Sequence, residues 1–283
     1  MIPAFLLFES ILMIAFTAID LTGNPDLNTT SSMLKYAGII LCVLFAAVRF
    51  IRSLTDHFRG KDIVPASEDT PVSGRSFSGE KANEPSERSF SIDLILLLAA
   101  LCFTVLADYF LLLRFTYLPG ILAFIPVQLL YMTRLRCLEH RAFGRSLLIP
   151  SVIIRLLFVA GAWIYLWKNG LLDLMNGAAL FYFTNLFVNV AEALFLFWKM
   201  SRLPKEDRRI PVSKAGLFFA GLLLFLGCDL SVGLWNLPPE AGVLPAGMIR
   251  IVGIAMWTFY LPSQVLITLS GEQRKNKITE CMI

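Results

Sequence analysis

Long apolar segments separated by shorter polar ones make up most of the chain. Each apolar segment is about as long as a bilayer-spanning helix requires, which is roughly 20 mainly apolar residues. The pattern therefore predicts an all-α, polytopic membrane bundle of about eight transmembrane helices. We place these helices at 4–21, 34–51, 92–113, 116–134, 147–167, 175–198, 214–235 and 246–269.

Composition supports the membrane prediction and excludes an ordinary soluble domain. Hydrophobic residues make up 57% of the chain and charged residues only 16%, whereas about a quarter of a soluble domain is charged. We therefore expect an integral membrane protein, in a bacterial plasma membrane or a eukaryotic endomembrane. The net charge of +4 does not indicate nucleic-acid binding, because its distribution along the chain follows the predicted topology.

Lysine and arginine are concentrated in alternate loops. The segment 49–91 holds seven of them, 134–146 four, 199–214 six and the tail after residue 270 three. Basic loops stay on the cytoplasmic side of a membrane, so these segments are predicted to be cytoplasmic. Both termini then lie in the cytoplasm, as an even number of helices requires.

The segment 52–91 differs in kind from the rest of the chain. It is rich in serine, proline and glutamate and nearly free of large aliphatic residues, so it cannot bury enough apolar surface to offset chain entropy. We predict four regions: helices 1 and 2 over 1–51, a disordered cytoplasmic linker over 52–91, helices 3 to 8 over 92–271, and a cytoplasmic tail over 272–283.

Motifs for common cofactors are missing from the sequence. The chain has no phosphate-binding glycine loop of the GxxxxGK[ST] or GxGxxG type, and both histidines fall in predicted cytoplasmic loops, which makes an intramembrane histidine-ligated metal site improbable on chemical grounds. The five cysteines have no CxxC spacing and are predicted to be free thiols. We expect neither a metal nor an organic cofactor.

Two carboxylates inside predicted spans are the main candidates for chemistry. Ionisable side chains are costly in a membrane, so they mark sites of function by default. Asp108 and Asp229 fall well past the midpoints of two helices that run in the same direction, which predicts similar depths. A pair of carboxyl groups in which one is protonated and the other ionised suits acid–base catalysis. Lys35 and Arg250 lie near the same outer level, where they would neutralise a carboxylate or bind a lipid phosphate.

A second polar set lies deeper in the predicted spans. Its members are Glu9, Gln128, Arg155, Asn189, Glu192 and Gln264. The structural alternative is strong here, because Arg155 paired with Glu192 or Glu9 would form a buried ion pair that only fixes helix positions. Asn236 is equally well explained as a helix-end residue or as a hydrogen-bonding residue of a site.

Two stretches resemble the YhhN family of integral membrane proteins, which includes the lysoplasmalogenases. The first is LADYFLLLRFTYLPGILAFIPVQLLYMTR at 106–134, and the second is FLGCDLSVGLWN at 225–236, followed by 251–271. The residues that fit the family pattern are Asp108, Phe110, Leu111, Gly120, Phe124, Tyr131, Asp229, Asn236, Tyr260, Gln264, Leu266 and Ile267. The chain departs from the pattern at Gln128, where the family commonly has histidine, at Lys35-Tyr36, where it commonly has Lys-Pro, and at Cys228, where a small residue is common.

The resemblance implies hydrolysis of the vinyl ether bond of lysoplasmalogens, which releases a fatty aldehyde and a glycerophospho-alcohol. Asp108 and Asp229 would be the catalytic acid and base, in either assignment. Lys35 and Arg250 would bind the phosphate of the lysophospholipid, and the remaining candidates would orient water or the glycerol; these are Gln128, Asn236 and Gln264. A lipid-sized cavity with both aspartates on its wall would favour this function.

Two other classes of function remain open at this point. The first is a non-enzymatic membrane protein or transporter that binds a lipid or a small solute, and the second is a structural membrane subunit. An inverted repeat with broken helices would favour transport, and none is evident in the sequence. Membrane lipids are expected partners in every case, and the oligomeric state is not predicted.

Overall fold

The described part of the chain folds into eight long helices. The computed structural model describes residues 1–61, 84–144, 148–236 and 246–271, and this part of the chain is helical with no strand. The helices are α1 (Ile2–Thr22), α2 (Asn28–Lys61), α3 (Glu84–Asp108), α4 (Tyr117–Phe143), α5 (Leu148–Lys168), α6 (Leu174–Ser201), α7 (Val212–Trp235) and α8 (Ala246–Leu269). Short 3-10 turns at Pro25–Leu27 and Lys205–Asp207, and a π-helical segment at Tyr109–Leu113, complete the regular structure.

The predicted fold class is confirmed. Each of the eight helices is long and apolar enough, by length and composition, to cross a membrane. The helices lie where the hydrophobic pattern predicts them, although α2 and α4 continue well beyond their predicted ends at residues 51 and 134. The cytoplasmic location of both termini stays a prediction.

The predicted disordered linker is too long at both ends. Helix α2 continues to Lys61 and α3 begins at Glu84, so helical structure extends into the segment 52–91 from both sides. Polar residues beyond a membrane span can continue a helix, because the helix satisfies its own backbone hydrogen bonds. The middle of the linker, 62–83, and the predicted tail, 272–283, lie outside the described residues.

Six of the helices form a closed ring. Going round the ring, α2 packs against α3, α3 against α4, α4 against α6, α6 against α7, α7 against α8, and α8 against α2. Helix α1 lies outside on α2 and α8, and α5 lies outside on α6. Burial follows this arrangement, since 17% of the span is buried in α1 and α5 but 33% to 50% in the ring helices.

Glycines allow the ring helices to approach closely. A Cβ atom on Gly221 of α7 would lie 2.6 Å from the Ile267 side chain and 3.0 Å from the Ser263 carbonyl of α8. A Cβ atom on Gly216 would lie 3.0 Å from the Phe197 ring of α6. Small residues at helix contacts are typical of membrane proteins, in which tight packing stabilises helix association. The close packing of α7 against α6 and α8 therefore depends on these two glycines.

A buried ion cluster ties the ring together at the end where α4 ends and α7 begins. Asp93 of α3 accepts hydrogen bonds from Arg134 Nε of α4 at 2.9 Å and from Lys214 Nζ of α7 at 2.6 Å. Arg134 also donates to the hydroxyl of Ser270, just after α8, at 2.8 Å. All four residues are buried. The cluster therefore joins α3, α4, α7 and the end of α8.

Candidate functional site

Asp108 is buried inside the helix ring near one end. Only 3% of the residue is exposed, and the hydroxyl of Tyr260 on α8 donates a hydrogen bond to its Oδ2 at 2.7 Å. This bond joins α3 to α8. Asp108 is also the last residue of α3 before the π-helical segment Tyr109–Leu113, and wide π-helical turns of this kind occur frequently at functional sites.

The turn after Asp108 is built by a glycine and an unusual backbone conformation. Phe115 has a φ of 53°, in the left-handed region that a bulky residue rarely adopts. A Cβ atom on Gly120 would lie 2.6 Å from the side chain of Leu111 and 3.4 Å from the carbonyl oxygen of Ala107. Only a glycine therefore lets α4 begin so close to the end of α3, and this close approach fixes the position of the segment that carries Asp108.

Asp229 lies on α7 with part of its carboxyl group unsatisfied. Its Oδ2 is buried and has no hydrogen-bond partner among the described residues. The hydroxyl of Tyr182 on α6 lies within electrostatic range of Asp229 and, with a smaller effect, of Asp108. That hydroxyl is itself buried without a hydrogen-bond partner. Asp229 and Tyr182 therefore lie close to each other in a contact that lacks ordinary hydrogen-bond geometry.

A series of aromatic contacts connects the two tyrosines that lie beside the acidic residues. The ring of Tyr260 lies 5.6 Å from that of Phe225, Phe225 lies 5.7 Å from Phe124, and Phe124 lies 5.5 Å from Tyr182. Each tyrosine at the ends of this chain of rings faces one of the two aspartates. The described residues contain no direct hydrogen bond between the two carboxyl groups, although Tyr182 interacts electrostatically with both.

Lys35 is engaged by an acidic residue that the sequence analysis did not consider. Its Nζ lies 2.8 Å from Oδ2 of Asp20 on α1 and 4.8 Å from the centroid of the Trp257 ring. Ser31 donates a second hydrogen bond to Asp20 at 2.5 Å. Trp257 in turn packs edge-on against Tyr260, with ring centroids 5.4 Å apart. Lys35 therefore lies two rings away from Asp108, and a phosphate would have to compete with Asp20 for it.

Gln128 belongs to a buried polar network between α4, α5 and α6. The amide of Asn189 donates to the carbonyl oxygen of Gln128 at 2.9 Å and to its Oε1 at 3.0 Å. Arg155 donates to Asn189 Oδ1 at 2.9 Å and to Glu192 Oε2 at 2.7 Å. The predicted pairing of Arg155 with Glu192 is confirmed. Glu9, the other predicted partner, instead accepts a hydrogen bond from the thiol of Cys42 at 3.4 Å.

The remaining candidates are distributed differently. Gln264 is wholly buried in α8, and its Nε2 donates to Ser263 Oγ at 3.3 Å. Asn236 lies exposed at the end of α7 and donates to the carbonyl oxygen of Val232 at 2.8 Å, as a helix-end residue does. The side chain of Arg250 lies outside the described residues. The structure thus explains Asn236 as a helix-end residue, and the role of Arg250 stays a prediction.

Several buried polar atoms of the ring helices have no hydrogen-bond partner among the described residues. They are Gln128 Nε2, Tyr131 Oη, Tyr182 Oη, Asp229 Oδ2, Gln264 Oε1 and Thr268 Oγ1. Burying a polar group without a partner costs free energy, and most such groups in folded proteins are satisfied by protein or by water. This interior therefore suits water molecules or a ligand that carries polar atoms.

The cavity that the structure describes lies apart from the two aspartates. It has a volume of about 290 Å³ and lies between α4, α5 and α6. Arg136, Glu139, Ser151 and Glu192 form its polar wall. Neither Asp108 nor Asp229 lines it, so this cavity is not the one that the sequence analysis expected between them.

Most of the buried polar residues could be named from the sequence, but the residues that contact them could not. Asp20 lies near the end of α1 and Lys35 near the start of α2. Because α1 and α2 are consecutive antiparallel helices, these two positions lie at the same level, and this signal could have paired them. Arg134 and Lys214 were counted as cations of cytoplasmic loops, yet both are buried in the Asp93 cluster. The hydropathy pattern alone gives no signal for Tyr182, which the structure brings to Asp229.

Metal ligation is not supported in the part of the chain described here. Those residues contain no group of three or more histidine, cysteine, aspartate and glutamate side chains that could hold a metal ion. Cys42, Cys102, Cys137 and Cys228 carry free thiols. The fifth cysteine, Cys281, lies outside the described residues.

Comparison with known proteins identifies the family. No curated protein matches the chain, and no solved structure matches it. The model of the YhhN family matches residues 86–271, which begins with α3 and runs to the end of α8, and so includes both aspartates but neither α1 nor α2. Because this match covers well over half of its length, the chain belongs to the YhhN family.

Proposed function

We propose that the protein is a membrane-embedded, lysoplasmalogenase-like hydrolase that cleaves the vinyl ether bond of lysoplasmalogens. The observation that carries the proposal is a pair of buried aspartates, each facing a tyrosine, inside the helix ring of a YhhN family member. Lysoplasmalogenases belong to this family, and two carboxyl groups are what the reaction needs.

The chemistry requires one acid and one base. Cleavage begins when a carboxylic acid transfers its proton to the vinyl carbon β to the ether oxygen, which leaves an oxocarbenium ion at the adjacent carbon. A carboxylate stabilises this cation and takes a proton from the water that attacks it. The resulting hemiacetal collapses to a fatty aldehyde and a glycerophospho-alcohol. Asp108 and Asp229 fill these two roles, and no cofactor enters the reaction.

The polar atoms that lack partners indicate where the substrate would meet the protein. Asp108 already accepts a hydrogen bond from Tyr260, whereas Asp229 Oδ2 and the hydroxyl of Tyr182 lie close together without ordinary hydrogen-bond geometry. The attacking water or the ether oxygen would bind there. Because aromatic rings connect Tyr260 to Tyr182, the proposal requires the vinyl ether to enter beside Tyr182 and Phe124.

The test uses Asp108→Asn and Asp229→Asn in the full chain. Each removes a proton donor or base and keeps the shape of the side chain, so each is expected to reduce aldehyde release from lysoplasmenyl-ethanolamine by at least about 100-fold. Asp173→Asn is the matched control, because Asp173 is an exposed N-cap of α6 and asparagine caps a helix equally well. Full activity in either of the first two variants would refute the assignment.

A non-enzymatic, lipid-binding function is the second candidate. The cavity between α4, α5 and α6 favours it, because that cavity has a polar wall and an apolar wall and lies away from the aspartates. The two functions give different results for the wild-type protein. Binding of the lysolipid without aldehyde release would favour this second function over hydrolysis.

A further inference from the structure

Trp257 connects Lys35 to the hydroxyl group that contacts Asp108. The ammonium group of Lys35 lies over the Trp257 ring, 4.8 Å from the ring centroid. The rings of Trp257 and Tyr260 are nearly perpendicular, at 85°, with centroids 5.4 Å apart. Tyr260 in turn donates its hydroxyl hydrogen to Asp108 Oδ2 at 2.7 Å. A continuous series of contacts therefore runs from Lys35 on α2, through α8, to Asp108 on α3.

Lys35 is itself held in place by a carboxylate. Its Nζ lies 2.8 Å from Asp20 Oδ2, and Ser31 donates a hydrogen bond to Oδ1 of the same carboxylate at 2.5 Å. Only 8% of Lys35 is exposed. Because the ammonium group is almost wholly removed from water, its attraction to an aromatic ring is at the strong end of the range for such contacts. The carboxylate therefore fixes this ammonium group beside Trp257.

Helices α1 and α2 both contact Trp257. Phe16 on α1 is 1% exposed, and its ring lies 6.1 Å from that of Trp257, at an angle of 71°. Edge-to-face pairs of this kind are favourable. Lys35 is the contact from α2. Neither helix lies within residues 86–271, which match the family model, so the two helices outside that match have a route to Asp108 through Trp257.

We propose that Lys35 and Trp257 are positioning residues for Asp108. They hold the Tyr260 ring so that its hydroxyl group keeps the carboxyl group in one orientation. With Oδ2 held in this way, the proton that moves in the proposed hydrolysis passes through Oδ1. Lys35 then acts through Trp257 and not by binding a phosphate. The effect on catalysis rests on the proposed function, whereas the effect on the orientation of Asp108 does not.

The kinetic test separates positioning from phosphate binding in the full-length, detergent-purified protein. Loss of a phosphate contact raises KM, whereas loss of positioning lowers kcat. Lys35→Met removes the charge and is expected to lower kcat for aldehyde release about fivefold, with KM within about twofold of the wild type. Lys35→Arg is expected to keep kcat within about twofold, because a guanidinium also pairs with carboxylates and stacks on aromatic rings. A raised KM with unchanged kcat in Lys35→Met would overturn the proposal.

Trp257→Leu tests the next contact in the series. It removes the contacts of the indole ring and is expected to lower kcat about tenfold. In a Tyr260→Phe background the same substitution is expected to have almost no further effect, because residues that act through one another are not additive. Trp167→Leu is the matched control and is expected to leave kcat unchanged, since Trp167 on α5 is 70% exposed. Additive losses in the double variant would contradict the proposed route through Tyr260.

A chemical measurement tests the orientation of Asp108 without relying on catalysis. Dicyclohexylcarbodiimide is an apolar reagent that reacts with protonated carboxyl groups, and mass spectrometry of the digested protein gives the labelling rate at each aspartate. Loss of the hydrogen bond from Tyr260 frees Oδ2 for the reagent, so Tyr260→Phe is expected to raise the labelling rate of Asp108 about three- to tenfold. Lys35→Met and Trp257→Leu are expected to raise it in the same range, because they release the same hydroxyl group.

Two controls separate positioning from a general loosening of the bundle. Asp229 lies on a different helix, α7, and its labelling rate in the same samples is expected to stay unchanged. Lys199→Met removes another lysine that lies over an aromatic ring, 4.0 Å from the centroid of Phe143, and is expected to change neither rate. Unchanged labelling of Asp108 in both test variants, or an equal rise at both aspartates, would overturn the proposal. A wild-type protein that releases no aldehyde would refute the hydrolase function alone.

Discussion

Replacing Asp93 by asparagine tests whether the buried ion cluster holds the helix ring together. Asp93 is wholly buried and is the carboxylate that lies between Arg134 and Lys214, which are 0% and 4% exposed. The substitution keeps the size of the side chain but removes its charge. Two buried cations then lose the carboxylate that both of them contact, and the ties from α3 to α4 and to α7 are weakened together.

The expected loss of stability follows from the burial of the cluster. Removing one partner of a buried ion pair costs about 3 to 5 kcal/mol. A change of 1 kcal/mol moves the unfolding midpoint by about 2 to 4 °C for chains of 150 to 250 residues. The midpoint of Asp93→Asn is therefore expected to fall by about 6 to 20 °C. Asp173→Asn, on an exposed N-cap, is expected to change stability by less than about 0.5 kcal/mol.

The chain carries its own reporter for this measurement. Cys42 and Cys228 are buried free thiols, so a dye that becomes fluorescent on reaction with thiols reports unfolding of the detergent-purified protein during a thermal ramp. A second variant, Asp93→Asn with Lys214→Met, removes a cation along with the anion and is expected to recover part of the loss. An Asp93→Asn midpoint equal to that of the wild type would refute the claim that the cluster stabilises the ring.

Two further predictions follow from close contacts elsewhere in the ring. Gly221→Ala places a Cβ atom 2.6 Å from Ile267 and is expected to lower the free energy of unfolding by about 1 to 3 kcal/mol. The Cβ atom of Gly233→Ala meets nothing within 4 Å, so this control is expected to raise the free energy of unfolding by up to about 1 kcal/mol. Equal midpoints of the two variants in the same thermal assay would contradict the packing argument. Tyr260→Phe removes the hydrogen bond to Asp108 and is expected to reduce kcat about tenfold or more with little change in KM; unchanged kcat would mean that Tyr260 does not position the carboxyl group.

The helices could be predicted from the sequence because membrane insertion depends on local composition. A span needs only enough consecutive apolar residues, and that information lies within each segment. The ends of α2 and α4 were predicted less well, since the polar residues after 51 and 134 continue the helix instead of ending it. At the end of α4 the residue that does end the helix is Gly144, with a φ of 69°.

Contacts between helices could be predicted only in part, because they depend on the order of the helices around the ring. Arg155 and Glu192 were paired correctly, since few charges in the deep set could compensate each other. Asp93 was not considered, and its partners Arg134 and Lys214 were assigned to loops. A count of basic residues does not reveal that these two side chains are buried inside the helix ring. Asn236, by contrast, fits the family pattern and yet lies exposed at a helix end.

The distribution of cross-helix hydrogen bonds bears on how a substrate would enter the ring. The Asp93 cluster ties α3, α4 and α7 together at one end, and the hydrogen bond between Tyr260 and Asp108 ties α3 to α8 nearer the other. Between α6 and α7, at the level of the aspartates, the hydroxyl of Tyr182 lies close to the carboxyl group of Asp229, but the contact does not have ordinary hydrogen-bond geometry. Helices α6 and α7 are direct neighbours in the ring, so separating them breaks aromatic and apolar contacts and this polar contact, but no buried hydrogen bond of ordinary geometry. Under the proposed function, we expect a lysolipid that enters between α6 and α7 to reach Asp229, on α7, before Asp108.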